Sequence, residues 1–131
     1  MKVVFDTNVL VAALVFPGGR GEEALQRVLE ERDALFLSRA ILDELLGVLA
    51  RKFARDAEAL SRVAVFLAEV STLVKPARRV RVLRDDPDNR ILECAAAARA
   101  DLIVTGDAAL LALGEHAGAR IVRLADYLRM D

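Results

Sequence analysis

The sequence predicts an α/β fold built on a central, mainly parallel sheet with helices on both faces. Short apolar runs recur along the chain: KVVF at 2–5, ALFL at 34–37, LIV at 102–104 and IVRL near 120–124. They are continuous rather than alternating, as in strands buried on both faces. Between them lie segments whose apolar residues repeat at helical spacing, and that alternation of strand and helix is the signature of a parallel sheet.

Each element rests on local chemistry. Residues 2–5 read as a buried strand with Asp6 at its carboxyl end, and Asn8 is placed to cap the next helix. Residues 9–15 read as that short apolar helix, stopped by Pro17-Gly18-Gly19. Ala24, Leu25, Val28 and Leu29 mark one face of a helix over 22–31. Residues 34–37 make a second strand, and Ser38 caps a helix running to about residue 53. A further helix covers about 56–70. Residues 80–83 form a short strand or an extended loop leading into RDDPDN. Asp88 opens an Ala-rich helix to about residue 100. The strand 102–104 closes on Thr105-Gly106-Asp107. A helix over 108–113 leads to a strand near 120–124 and a last helix at about 125–129. No repeat, low-complexity tract or linker interrupts this order, so residues 1–131 read as one domain.

Composition narrows the function classes. The chain has 131 residues, 55% apolar and 5% aromatic, with a net charge of −1, which excludes a basic coat but not a basic rim. One cysteine cannot form an internal disulfide, which suits a reducing cytoplasm. The start lacks the layout of a signal peptide. The longest apolar run, residues 9–16, is far below the roughly 20 residues of a membrane span, so no membrane partner is expected.

The acids carry the chemistry. In open parallel sheets ligands bind beyond the carboxyl ends of the strands. Asp6 and Asp107 both stand there, although either also suits a helix cap. Asp88 has Ile91, Leu92 and Ala95 at i+3, i+4 and i+7, which puts it on the inward face of its helix. Asp85 and Asp86 crowd against it, and crowded anions call for a cation or for an arginine such as Arg84 or Arg90. Glu44 has Ile41 three residues before it and Val48 four after, so it borders the buried face, whereas Asp43 meets solvent. Arg51 is its expected partner if it serves only packing. Four acids from four elements, all able to reach one sheet edge, form an oxygen donor set for Mg²⁺ or Mn²⁺. One His, in the loop-like GEHAG stretch, and one Cys make a zinc site unsuited. Cys94 reads as a small core residue. No Gly-rich phosphate loop or nucleophile elbow is present.

The ordered set FDTNVLVAAL, ILDELLGVL, DPDNRILECA and LIVTGDAALL resembles the PIN-domain ribonucleases. Within that family it is most similar to the VapC-like toxin components of toxin–antitoxin pairs. The resemblance covers nearly the whole chain. It implies a three-layer α/β/α sandwich and a Mg²⁺- or Mn²⁺-dependent endoribonuclease holding one or two ions. It places the metal-binding and catalytic acids on Asp6, Glu44, Asp88 and Asp107, with Asp107 at a second site or acting through water. It places supporting polar groups on Thr7, Asn8 and Thr105. It further implies an antitoxin whose basic residue fills the acidic pocket, and a homodimer formed through helical surfaces. RNA contact is expected from the RRVRVLR stretch, through Arg78, Arg79, Arg81 and Arg84, because an acidic site needs cations nearby to admit a polyanion.

Rival readings fare worse. A haloacid-dehalogenase-like phosphatase wants a second Asp where Asn8 stands. A response-regulator receiver wants a late Lys, and none comes after Lys75. A nuclease of RNA processing outside any toxin pair, or a binding module with little catalysis, shares the same residues.

Overall fold

The computed structural model describes all 131 residues. Six strands form one sheet: β1 (Lys2–Phe5), β2 (Ala34–Ser38), β3 (Ser71–Val74), β4 (Leu102–Thr105), β5 (Glu115–His116) and β6 (Ala119–Arg123). Seven helices accompany them: α1 (Thr7–Val15), α2 (Arg20–Leu29), α3 (Arg39–Phe53), α4 (Ala57–Val70), α5 (Asp86–Ala98), α6 (Ala108–Leu113) and α7 (Leu124–Leu128). The strand order is β3-β2-β1-β4-β6-β5, and every pair is parallel except β5–β6. That exception is a hairpin whose turn residues, Ala117 and Gly118, both have positive φ (49° and 86°), as a tight two-residue turn demands.

The chain lays down β1, β2 and β3 in one direction, then α5 carries it back across to β4 on the far side of β1. Right-handed crossovers make that reversal a change of face, so α5 covers the side opposite the first helices. The strand order reverses between β1 and β4, and a crevice opens there beyond their carboxyl ends. Both strands are wholly buried apart from Lys2, which explains why they read as unbroken apolar runs. Around them Leu10, Leu35, Leu37, Ile41, Leu45, Leu92 and Ile103 fill the core. α1 and α2 approach so closely that a Cβ on Gly21 would lie 2.6 Å from the Ala13 backbone nitrogen.

At the opposite end of the strands, buried Asp33 accepts from Tyr127 Oη at 2.6 Å and from Arg27 Nε at 3.1 Å. The Arg27 guanidinium also stacks over the Tyr127 ring at 4.7 Å. Burial pushes the Asp33 carboxyl upward. Bonds from Tyr127, the N-terminal amine and Arg27 outweigh it and hold Asp33 below the usual carboxylate range.

Three sequence expectations are corrected, and one alternative is decided. Asn8 does not cap α1: it is the helix's second residue and is exposed, and Asp6 stands at the cap position. α5 begins at Asp86 rather than Asp88, because Pro87 suits a first helical turn. Of the two alternatives for residues 80–83, the extended loop holds rather than the strand. The outer strand is β3 instead, an edge strand whose Thr72 and Leu73 are exposed. His116 lies in β5, not in a loop.

Candidate active site

The crevice between β1 and β4 is organised by one chain of hydrogen bonds. The Asp6 backbone N–H donates to the Val104 carbonyl at 2.9 Å, which continues the pairing past the last strand residues. One residue on, the Thr105 hydroxyl donates to Asp6 Oδ2 at 2.7 Å. The Asp107 backbone N–H donates in turn to Thr105 Oγ1 at 2.9 Å. Thr105 is fully buried and Asp6 only 6% exposed. Asp6 stands at the N-cap position of α1 without a side-chain cap bond. Asp107 does cap α6, accepting from the Leu110 N–H at 3.0 Å.

α5 brings Asp88 to the same place from the other face. Asp88 is 6% exposed, and no donor reaches its Oδ2. The arginines expected beside it are committed elsewhere or absent. Arg90 pairs with Asp86 at 3.3 Å and with Glu93 at 3.0 Å, and Arg84 is exposed without an ion pair. Burial, then the charges of Asp107, Asp6 and Asp85, push the Asp88 carboxyl up to about 7. Burial likewise raises Asp6. Bonds from Thr105 and the Thr7 backbone pull against that rise, and the charges of Asp107 and Asp85 add to it. The charge of exposed Asp85 thus reaches both buried acids, an influence that sequence reasoning does not single out. Its only signal is adjacency: Asp85 stands at the cap position of α5, whereas Asp86, the first helical residue, pairs with Arg90.

Glu44 is not among the charges that raise Asp6 and Asp88. It is half-buried on α3, has no ion pair, and lines a cleft of about 300 Å³ with Thr7, Ile41, Arg79, Asp86 and Arg90. Arg51, its expected partner, instead folds along the helix over Gly47, with Nη1 2.8 Å from where a Cβ would sit. No three His, Cys, Asp or Glu side chains are gathered into a ready-made chelate. Mg²⁺ needs less than that, because one or two carboxylates suffice when waters and phosphate oxygens complete the shell. An unpartnered carboxylate oxygen amid oxygen-only donors fits a hard divalent cation.

The PIN domain family model matches residues 2–109. The chain belongs to the PIN-domain family. PIN domains are generally nucleases, and they typically use divalent metals. An uncharacterized protein of Methanocaldococcus jannaschii is 32% identical over 120 residues, spanning 88% of this chain and 77% of that protein. The fold matches a chain in the crystal structure of VapBC2 from Rickettsia felis bound to a DNA fragment from its promoter. The TM-score is 0.68 at 17% identity, covering 94% of this chain and 98% of that one.

Around its acids this PIN domain carries an exposed basic stretch at 78–84. The arginines expected to act together part company. Arg79 faces the Glu44 cleft and lies 3.9 Å from Asp86. Arg78 lines a separate hollow with Val80, Glu93 and His116. Arg81 and Arg84 are exposed. Cys94 is buried, and burial raises its thiol to about 12, which leaves it an inert core residue. No helix is long and apolar enough to cross a membrane.

Proposed function

We propose that this PIN domain is a Mg²⁺- or Mn²⁺-dependent endoribonuclease and the toxin of a toxin–antitoxin pair, acting in the cytoplasm. The observation that carries the reading is Asp88. It is a buried carboxylate with an unpartnered oxygen, pressed against Asp6 and Asp107 at the topological switch point.

On this reading Asp6, Glu44 and Asp88 hold the cation, and Asp107 contributes to a second site or through water. A divalent ion held there lowers the pKa of a water and stabilises the leaving 3′ oxygen of a phosphodiester. The chain's own groups do the rest. Thr105 fixes the orientation of the Asp6 carboxylate by donating to its Oδ2. Asp107 keeps its orientation by capping α6. Thr7 and Glu44 form the cleft wall along which the RNA strand enters, and Asn8, exposed beside them, meets its backbone. Arg79 offsets the repulsion between acidic site and polyanion.

The toxin assignment and its antitoxin partner draw on the likeness to VapBC2, and a second copy of the chain is the other partner proposed. α4 suits the second role: Leu67 is its sole buried residue, while Leu60, Val63 and Phe66 are half-buried and Val65 is 58% exposed. Cleavage of a labelled single-stranded RNA with Mn²⁺, with Mg²⁺ and with EDTA tests the central claim. The expected result is metal-dependent cleavage that the Asp6→Asn/Asp88→Asn variant loses. Cleavage in EDTA, or undiminished in the double variant, overturns it. Growth arrest on expression, absent for Asp6→Asn, is the expected sign of a toxin.

A further inference from the structure

The segment 75–85 between β3 and α5 has no secondary structure, yet its middle is firmly held. Glu93 Oε2 accepts from the Val80 N–H at 2.7 Å, and Arg90 Nη2 donates to the Val80 carbonyl at 3.0 Å. Asn89 Oδ1 accepts from the N–H groups of Val82 (3.1 Å) and Leu83 (2.8 Å), and its Nδ2 donates to the Leu83 carbonyl at 2.8 Å. Asn89 is 2% exposed and Glu93 6%. Burying an amide and a carboxylate is unfavourable unless their bonds are made, and here they are made to a single stretch of backbone. The Arg90–Glu93 pair at 3.0 Å adds charge attraction between the two clamps.

Residues 88, 89, 90 and 93 belong to consecutive turns of one helix. Asp88 faces the acid cluster, and its neighbours grip the strap. The strap in turn carries Arg79, which reaches the cleft shared by Thr7 and Glu44. Arg79 is held there only weakly, 3.9 Å from an Asp86 whose side chain is 70% exposed. A phosphate oxygen would displace that contact readily, since an arginine fork binds phosphate in two parallel bonds.

We propose that Asn89 and Glu93 are positioning residues: they lock the strap on α5 so that Arg79 engages the backbone phosphate next to the scissile one. This rests on the nuclease reading above and adds a residue and a register to it. Preorganisation is the physical advantage. With the strap backbone fixed on the helix that carries Asp88, presenting Arg79 needs no loop ordering when RNA binds.

The test is a binding cycle on labelled single-stranded RNA in an Asp6→Asn background, across a salt series, with Asn89→Ala, Arg79→Ala and their combination. Glu93→Ala and Glu93→Gln form a second arm that keeps the test open should Asn89→Ala fail to fold. Each single variant is expected to weaken binding about three- to tenfold and to flatten the salt slope by about 0.7, one single-strand phosphate contact. The double variant is expected to be no worse than either single one, because both remove the same contact. Glu93→Gln, which still accepts from Val80, is expected to bind better than Glu93→Ala. Amide exchange at Val80, Val82 and Leu83 should quicken in the clamp variants and not in Arg79→Ala. Additive losses, or wild-type affinity and slope in Asn89→Ala, would overturn the proposal while a cleaving wild type leaves the nuclease reading standing. A wild type that neither cleaves nor binds RNA sinks both.

Discussion

The Thr105 hydroxyl donates to Asp6 Oδ2 at 2.7 Å while accepting the Asp107 backbone N–H at 2.9 Å. The end of β4 thereby sets the orientation of an acid at the end of β1, and the loop after β4 polarises the hydroxyl that does it. Thr105→Val keeps the shape and removes the donor. Burial of Asp6 then loses its main opposing bond, and its carboxyl rises further. Mn²⁺ affinity should fall about 10–100-fold, as for other groups that orient metal ligands, and Thr105→Ser should restore most of it. Titration calorimetry checks this, and equal affinities in wild type and Thr105→Val would refute the orienting role.

The acid cluster strains the metal-free protein. Asp88 titrates near 7 in the fold against 3.8 for the unperturbed group, so the folded chain binds the extra proton between those values. Stability of the metal-free protein therefore falls as pH rises from about 4 to 7. Asp88→Asn removes the charge and should stabilise the protein in EDTA at pH 8 by roughly 2–4 kcal/mol, while abolishing cleavage. Thermal melts of both proteins at pH 5 and pH 8 check it: the difference should be large at pH 8 and small at pH 5.

Tyr127→Phe tests the far end. It removes a 2.6 Å bond to buried Asp33, which should cost about 1–3 kcal/mol at neutral pH. Asp33 is held below its usual range, so its contribution is present at neutral pH and lost in strong acid. The two proteins should converge in stability there. Denaturant titration gives the difference, and RNA cleavage below the melting range should be unaffected.

Gly21→Ala addresses the α1–α2 contact. With the Ala13 nitrogen 2.6 Å from the added carbon, the helices must part, at about 1–3 kcal/mol. A melt equal to wild type would mean that the pair of helices yields without strain.

Much of this is legible in residues alone. β1, β2 and β4 announce themselves because strands buried on both faces must be apolar throughout. Ser38 caps its helix as its chemistry requires, accepting from the Ile41 N–H at 3.3 Å. β3 escapes notice because STLV is a half-exposed edge strand that follows the end of α4 without a break. The VRVL stretch mimics a strand because its side chains alternate. Its backbone, however, pairs with Asn89, Arg90 and Glu93 side chains rather than another strand, and no local pattern records that. Asp6, Asp88 and Asp107 are legible as a group from strand ends and helix face. Which of Asp85 and Asp86 pairs with arginine is not, because that depends on where the helix starts. That Glu44 lines a cleft with Thr7 and Arg79 rather than pairing with Arg51 likewise depends on how α3 packs, which spacing along one helix does not encode.

Mn²⁺ binding by wild type and Asp88→Asn, measured calorimetrically at pH 8 and pH 6, tests the central claim most directly. The account predicts binding to wild type that weakens at pH 6, with proton release on binding there, and a loss of at least tenfold in Asp88→Asn at pH 8. Equal Mn²⁺ affinity in the two proteins would contradict it, because the unpartnered oxygen of Asp88 would then have no cation to serve.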